Sequence, residues 1–389
     1  MALFPIAIPK AHSLTGRITL SLLLAAFKAV KRNRGAAGID KVSIKMFETN
    51  LAENLRALER DLKDGSFVPF PLRRKFIPKE PDKFRPLGIP AVRDRVAQET
   101  VRRLLHPIFE PLFHDASFGF RPGRNCHQAL GRVLELHDQG YQVVLDADIK
   151  GFFDNLSHAV IMEAVAAQVA DGNILRLIEK FLRAGVVEEG VFKPTTVGTP
   201  QGGVVSPLLA NIVLNHLDER LEVAGCRFVR YADDFVVLCQ TRAQAEEALT
   251  LVTQTLSELG LSLSPDKTRV TTYSKGYSFL GFVLSRRSRR MRDKSVRKLR
   301  DKIRELTCRS HNLDAQVIVK LNQVISGTAR YFATRWFTGR SRFRNLDAWI
   351  RRRLRCMKYK CFSYHNNRRF RVKQLERLGL LSLDSFCGS

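Results

Sequence analysis

The sequence contains no Cys-x-x-Cys pair, although it has seven cysteines in 389 residues. An odd, scattered set of cysteines argues against a disulfide framework and favours reduced thiols in an intracellular protein. Cys356, Cys361 and His365 lie close together in the sequence, but a structural zinc site needs a second pair of ligands at matching spacing. We therefore expect neither disulfides nor structural zinc.

Long hydrophobic runs are also missing. The longest apolar stretch, ITLSLLLAAFKAV at residues 18–30, is shorter than the ~20 residues that a membrane-spanning helix needs. It continues into KRNRG without a small-residue cleavage site, so we expect an amphipathic helix, no signal peptide, no membrane partner and a cytoplasmic location. The hydrophobic content of 44% predicts a globular protein of two or three domains.

Acidic residues are scarce, because 38 Asp and Glu stand against 65 Lys and Arg and leave a net charge of +27. Most of the excess lies in residues 286–374, which hold 28 Lys and Arg but only five Asp and Glu. The stretches VRKLRDKIREL and LDAWIRRRLRCMKY place apolar residues at helical spacing there, which predicts a basic helical domain. Such an excess predicts nucleic acid as the partner. The candidate contacts are Arg297, Arg300, Arg351 and Arg352.

Two adjacent acids interrupt an apolar run in RYADDFVVLC, residues 230–239. The flanking residues predict two short strands joined by a tight turn, with Asp233 and Asp234 at the hairpin tip. A turn alone would explain an isolated Asp-Asp pair. The apolar flanks instead indicate covered strands, where adjacent carboxylates need a compensating cation. A divalent ion with oxygen ligands meets that need.

A third acid comes from YQVVLDADIKGFFDNLSH, residues 141–158. Asp146 and Asp148 follow a predicted strand and point to the same side of it, so spacing alone does not choose between them. Asp154 is expected to cap the following helix. One acid on a strand and two at a neighbouring hairpin tip would form the site that two-metal nucleotidyl transfer requires.

Three further segments carry candidate binding residues. RRKFIPKEPDKFRPLGIP has four prolines, which predict extended strands joined by a turn. SFGFRPGRNCHQAL alternates aromatic, Gly and Arg residues before a helix that opens near Cys126, so Arg121 and Arg124 are candidates for phosphate binding; an ordinary turn with solvated arginines is the alternative. The glycines of VGTPQGG allow close approach of a ligand before a helix that begins near Ser206.

The ordered series KEPDKFRPLGIP, SFGFRPGRNCHQAL, DADIKGFFDNLSH, GTPQGGVVSPLLANIVLNHLD, RYADDFVVLC, SPDKT and YSFLGFVL resembles the motifs of bacterial group II intron-encoded reverse transcriptases. The resemblance covers about residues 20–285, and the basic region resembles the thumb, or maturase-specific domain, of the same proteins. It implies an α+β right-hand polymerase, with an antiparallel palm sheet packed on helices. Residues 1–285 would be fingers and palm, 286–375 an all-helical basic thumb, and 376–389 a short tail.

The resemblance also assigns metal ligands. Asp148, Asp233 and Asp234 would hold two Mg²⁺ ions, for which Mn²⁺ is a substitute, with the backbone carbonyl of Ile149 as a further ligand. Asp146 is then secondary. This choice rests on the resemblance and not on spacing.

Further residues are assigned to the substrates. Lys79 and Arg85 would clamp the incoming triphosphate, and Gln201 would lie against the nucleotide. Phe153 corresponds to the steric gate that rejects a 2′-hydroxyl, whereas Phe152 is expected in the core. Two assignments complete the set: Lys267, which would assist the departing pyrophosphate, and Gly281, in a hairpin that would hold the primer end.

The function implied is an RNA-directed DNA polymerase that adds dNTPs to a DNA primer on an RNA template and binds a structured intron or noncoding RNA. Two alternatives stay open: a splicing maturase with a vestigial polymerase site, and a domesticated reverse transcriptase in antiviral defence or repair. Intact YADD, DIKGFF and PQGG favour the polymerase. The sequence contains no paired-Cys endonuclease module.

Overall fold

Segments with strong sequence patterns form regular elements in a computed structural model, which describes residues 3–80, 83–199 and 202–388. The chain divides into two compact units, Met1–Val270 and Thr271–Ser389. The helices described in the first unit are α1 (Leu20–Arg32), α2 (Ile44–Thr49), α3 (Leu51–Asp64), α4 (Val92–Phe109), α5 (Cys126–Asp138), α6 (Phe152–Asn155), α7 (His158–Ala166), α8 (Gly172–Leu182), α9 (Ser206–Val223) and α10 (Arg242–Glu258). Its strands are β1 (Leu72–Glu80), β2 (Lys83–Ile89), β3 (Val143–Asp148), β4 (Val186–Glu188), β5 (Val191–Lys193), β6 (Arg227–Tyr231) and β7 (Asp234–Cys239), and β8 (Arg269–Thr272) crosses the division.

The N-terminal apolar run forms α1, as its pattern predicts. Leu23, Ala26, Phe27 and Val30 recur at helical spacing and are buried. The side chain of Thr19 caps this helix by accepting a hydrogen bond from the backbone N–H of Leu22. The run therefore packs on the body of the protein.

The proline-rich segment forms the antiparallel pair of β1 and β2, which confirms the predicted strands. These strands lie in a sheet of order β2-β1-β4-β5. Prolines are tolerated here because β2, which holds Pro86, is an edge strand, and because β1 pairs with β4 only at Leu72 and Arg73, before Pro78.

A second sheet, of order β6-β7-β3-β8, carries the predicted hairpin of β6 and β7. Helices α5 and α10 contact its strands, and α9 contacts β6. Nearly every side chain in the central part of α9 is buried, because the helix packs against α7, α10 and the sheet together. The hairpin is thus covered by helices, as its apolar flanks predict.

One local expectation is wrong. Asp154 lies inside the short helix α6 and does not cap the following helix, for which Ser157 occupies the N-cap position. Gly151, with φ +54°, starts α6 directly after the strand, so the chain turns earlier than the position of Asp154 suggests.

The second unit begins with a three-stranded antiparallel sheet of β9 (Tyr277–Phe279), β10 (Phe282–Leu284) and β11 (Arg289–Met291). Its helices are α11 (Asp293–Leu306), α12 (Ala315–Phe332), α13 (Arg340–Tyr359), α14 (Asn366–Arg369) and α15 (Val372–Arg377). The region predicted as all-helical from residue 286 therefore contains one short strand, because β11 pairs with β10 before α11 begins.

The last residues of this unit contact α13. The carboxylate of Asp347 accepts hydrogen bonds from the backbone N–H groups of Leu383 and Asp384 and from the hydroxyl of Ser382.

Among the helices that the structure describes, none is both long enough and apolar enough to cross a membrane.

Candidate active site

Strand pairing brings the three predicted acids to one edge of the second sheet. Tyr231 pairs with Asp234 across the hairpin, so Ala232 and Asp233 form its two-residue turn. On the other side of β7, Asp148 of β3 is the direct partner of Asp234. Residues directly opposite each other on an antiparallel ladder present their side chains to the same face, so Asp148 and Asp234 share a face next to the turn that carries Asp233.

The acids interact electrostatically. Burial raises the pKa of Asp233 above its usual value, and the negative charge of Asp148 raises it further, while Arg85 and Lys267 act in the opposite direction. Asp148 is half-exposed, and its carboxylate lies 2.8 Å from the Nζ of Lys267. Charges from three other segments of the chain therefore act on Asp233.

Two salt bridges join the region around β8 to β3. Lys267 contacts Asp148, and Arg269 contacts Asp146 with an N–O distance of 3.3 Å. Burial raises the pKa of Asp146, and the positive charge of Arg269 partly offsets this. Each acid thus has its own basic partner, but only Asp148 pairs with Asp234, because Asp146 pairs with Val236.

The donor chemistry suits a hard divalent ion, because carboxylate oxygens are its preferred ligands. Within residues 3–80, 83–199 and 202–388, however, no three His, Cys, Asp or Glu side chains form a group that could hold a metal ion. The three acids share an edge without forming a complete coordination shell, and Lys267 supplies the positive charge next to Asp148.

The backbone near Asp148 offers one further oxygen. Ile149 forms a bridge with Leu263, in which Lys150 N–H bonds the Ser262 carbonyl and Ser264 N–H bonds the Asp148 carbonyl. The bridge therefore does not use the carbonyl of Ile149.

Phe152 and Phe153 differ in burial, and Phe152 lies in the core as predicted. Phe152 is buried, whereas Phe153 is only partly buried, and their ring centroids lie 5.1 Å apart. The backbone N–H of Thr199 donates to the carbonyl of Phe153 at 2.8 Å, which joins the glycine-rich loop to α6.

The same loop also approaches β2. A Cβ at Gly202 would lie 2.2 Å from the carbonyl oxygen of Gly88, so only glycine allows this approach. Arg85, three residues before Gly88, is exposed. Two of the predicted residues are not placed: the side chain of Lys79 and all of Gln201 lie outside the described residues.

Comparison with known proteins identifies the architecture. Residues 77–284 match the family described as "Reverse transcriptase (RNA-dependent DNA polymerase)", and residues 296–377 match the "Group II intron, maturase-specific domain". The chain belongs to the group II intron-type reverse transcriptases. The predicted α+β fold class is confirmed, with an antiparallel palm sheet followed by a helical C-terminal region. Polymerases of this family depend on divalent metal ions and act with nucleic acids.

Relatives differ in how much of their length the chain covers. It is 35% identical to "Protein YkfC" of Escherichia coli (strain K12) over 312 residues, which are 69% of this chain and 81% of that protein. It is 44% identical over 168 residues, 43% of this chain, to "Group II intron-encoded protein LtrA" of Lactococcus lactis subsp. cremoris. That match spans only 28% of LtrA.

Two arginines predicted to contact nucleic acid also form hydrogen bonds within this reverse transcriptase. Arg121 is buried, and its guanidinium donates to the Glu110 carboxylate and to the carbonyls of His114 and Ser117. Arg124 donates to the carboxylate and carbonyl of Asp115. These contacts give both residues a role in holding the loop, because their donors already have internal acceptors.

The predicted residues of the second unit fall into two groups. Arg297 and Arg352 are exposed, and Arg351 is partly exposed, whereas Arg300 lies over the ring of Trp349 at 5.6 Å.

Gly281 has φ +82° in the turn between β9 and β10, and its carbonyl accepts a hydrogen bond from Arg292 N–H. Arg351 and Arg352 line a cavity of about 360 Å³ together with the exposed rings of Phe362 and Tyr364.

One residue next to the acids is absent from the predictions. Arg230, directly before YADD, is fully buried and forms an ion pair with Asp218. A charged residue at an apolar strand position was a visible signal, but its partner lies on α9 and only the fold shows that they meet.

Proposed function

We propose that this reverse transcriptase copies an RNA template into DNA, with Asp148, Asp233 and Asp234 as its metal-binding acids. The observation that carries the proposal is the register of β3 and β7, which sets Asp148 opposite Asp234 beside the turn with Asp233. The effect of the Asp148 charge on the pKa of Asp233 supports a shared site. Divalent cations stabilise acids that share one edge of a sheet.

Two Mg²⁺ ions, or Mn²⁺ in their place, would be held by these acids and by the Ile149 carbonyl. When bound, the ions lower the pKa of the attacking primer hydroxyl and stabilise charge on the leaving pyrophosphate. The chain's own bases complement this charge: Arg85 is exposed and acts on Asp233, so its guanidinium is suited to a bound triphosphate. Lys79, Gln201 and Lys267 complete the proposed dNTP site.

Phe153 is proposed to select dNTPs over ribonucleotides. Its ring is partly exposed and packs on the core beside Phe152, and its carbonyl is bonded by Thr199. A ring packed on the core excludes a 2′-hydroxyl more effectively than a mobile one, because it cannot move aside without losing packing. The product would therefore be DNA.

The test is extension of a DNA primer on an RNA template with dNTPs and Mg²⁺. Wild-type protein is expected to extend the primer, and Asp233→Asn to reduce the rate at least about 1,000-fold. Asp154→Asn, an exposed acid in the same motif, is the matched control and should retain activity. An inactive wild type, or an active Asp233→Asn variant, would refute the assignment.

A second function, binding of a structured RNA such as an intron, is supported by the maturase-specific match over residues 296–377. The cavity beside Arg351 and Arg352 supports it too, because arginines next to exposed aromatic rings suit phosphates and unstacked bases. We propose residues 1–285 as fingers and palm, 286–375 as the thumb and RNA-binding region, and 376–389 as the tail. Asp233→Asn should bind RNA as the wild type does; loss of binding would show that the two functions are not separable.

A further inference from the structure

Arg230 is a charged residue in a place where charge is costly. Its side chain is fully buried, as is that of Asp218 on α9. The Nε and Nη2 of Arg230 donate to the two carboxylate oxygens of Asp218 at 2.7 and 2.5 Å. A buried ion pair contributes little net stability, because desolvation of both ions offsets their attraction. Stability alone therefore does not account for the pair.

The remaining nitrogen of the same guanidinium reaches the turn that carries Asp233. Nη1 of Arg230 donates to the carbonyl of Ala232 at 3.1 Å and to the side-chain oxygen of Asn211 at 3.0 Å. Ala232 has φ +60°, in the left-handed region that residues with a side chain rarely adopt. A two-residue hairpin turn with positive φ at its first position usually takes glycine there. Strained backbone of this kind persists only where the surroundings hold it.

The turn is also held from its other side. A Cβ at Gly119 would lie 2.3 Å from the backbone nitrogen of Ala232, so the loop containing Gly119 is packed directly on the turn. Nδ2 of Asn211 donates to the Gly119 carbonyl at 2.8 Å, and the backbone of Arg230 bonds Ala116 and Phe118 of the same loop. Arg230 thus joins α9, this loop and the hairpin turn.

We infer that Arg230, held by Asp218, is a positioning residue that fixes the Ala232–Asp233 turn and so presents Asp233 to Asp148. This rests on the proposed function, in which Asp233 is a metal ligand. Arg230 has no exposed surface through which it could contact a substrate; it acts through the backbone of the residue before Asp233. The ion pair keeps the guanidinium in the one orientation in which Nη1 meets the Ala232 carbonyl.

A purely structural role makes a different prediction from a positioning role. Replacing a buried ion pair by apolar residues of similar size is often neutral for stability. The double variant Arg230→Met with Asp218→Leu should therefore stay folded, with an unfolding midpoint within about 4 °C of wild type. It lacks the donor to Ala232, so a positioning role predicts loss of function without loss of fold.

The experiment measures three quantities on the full chain: the unfolding midpoint, Mn²⁺ binding to the protein without nucleic acid, and single-turnover dNTP incorporation. We expect the double variant to bind Mn²⁺ about 10-fold more weakly. The incorporation rate should fall about 100-fold, while the affinity for primer–template is unchanged. The matched control is Arg95→Met, because Arg95 is also a buried arginine of this unit but bonds the Ala36 carbonyl.

A rescue variant covers the case in which the double variant does not fold. Arg230→Lys keeps one positive charge but cannot bond Asp218 and Ala232 together, so it should be impaired. Adding Ala232→Gly makes the left-handed turn easier to adopt and should restore the incorporation rate about 5-fold over Arg230→Lys alone. A structural role in the core predicts no such rescue.

The outcomes separate the two proposals. An inactive wild type refutes the proposed function. Suppose instead that the wild type is active and the double variant is folded. If the Mn²⁺ affinity and the incorporation rate of the double variant then lie within about 3-fold of the wild-type values, only the positioning role is refuted. If the double variant is unfolded, failure of Ala232→Gly to rescue Arg230→Lys refutes that role equally.

Discussion

The two compact units handle charge in opposite ways. Around the hairpin of the first unit, three charged residues have specific partners: Arg230 pairs with Asp218, Lys267 with Asp148, and Arg269 with Asp146. In residues 286–374, five acids cannot pair with more than a minority of 28 bases. The first unit therefore depends on geometry and protonation, and the second on the field of its unpaired charge, which salt screens.

The largest effect is expected on the discrimination between dNTPs and ribonucleotides, which depends on the geometry of the first unit. Phe153→Ala should reduce discrimination against ribonucleotides about 100-fold, because the ring that excludes the 2′-hydroxyl is removed. The measurement compares incorporation of matched dNTP and NTP on one primer–template. Phe152→Leu is the control, since that buried neighbour should change stability and leave selectivity intact. Unchanged selectivity in Phe153→Ala would exclude it as the gate.

Protonation should matter for the stability of the first unit through Asp94. Burial raises the pKa of Asp94 to about 6, above the ordinary value of 3.8. A raised pKa contributes stability below pH 3.8 that is lost as the pH rises through about 6. The Asp94→Asn variant does not lose this stability. Its free energy of unfolding, relative to that of the wild type, should therefore rise by about 2 kcal/mol between pH 4 and pH 7.

Urea unfolding of the wild type and Asp94→Asn at several pH values checks this. Other carboxylates titrate in both proteins and cancel in the comparison. The amide side chain of the Asp94→Asn variant retains an oxygen that can accept the hydrogen bond from Phe70 N–H, so the local structure is kept. A stability difference that does not vary with pH would show that Asp94 is not a titrating buried acid.

The second unit should respond to salt. Arg351→Gln with Arg352→Gln should weaken RNA binding about 10-fold at low salt and reduce the slope of log K against log salt by about 2. Arg183→Gln with Arg242→Gln makes the same change of net charge on exposed residues of the first unit. Equal weakening by both pairs would mean that overall charge, and not this surface, binds the RNA.

The smallest expected effect tests the contact between Lys267 and Asp148. Because Lys267 lies 2.8 Å from the Asp148 carboxylate, it competes with a metal ion for that acid. Lys267→Met should tighten Mn²⁺ binding to the free protein about 5-fold. Lys150→Met removes an exposed charge near Asp148 in the chain and should have less effect. Weaker Mn²⁺ binding in Lys267→Met would contradict the competition.

The sequence predicted the elements that carry the site better than it predicted their contacts. The hairpin around Asp233, the proline-rich strands and the helix from Ser206 follow from local patterns, and all are present. Local patterns did not choose between Asp146 and Asp148, because the choice depends on the register of β3 against β7, a strand much later in the chain.

Burial was the property that sequence reasoning missed. Arg121 and Arg230 both lie in motifs rich in charged and aromatic residues, yet both are buried with internal acceptors. Nothing in the spacing shows that Glu110 and Asp218 receive these arginines, since each partner lies on a different element. An arginine in an apolar strand indicates a buried ion pair only when the helix that packs on the strand, and the acid on that helix, are known.

The most direct test of the metal site is Mn²⁺ binding to the wild type and to Asp148→Asn, Asp233→Asn and Asp234→Asn, each with bound primer–template. If these acids hold the ions, each variant should bind Mn²⁺ at least about 10-fold more weakly, while Asp154→Asn binds it as the wild type does. Equal affinity in the wild type and all three variants would contradict the assignment.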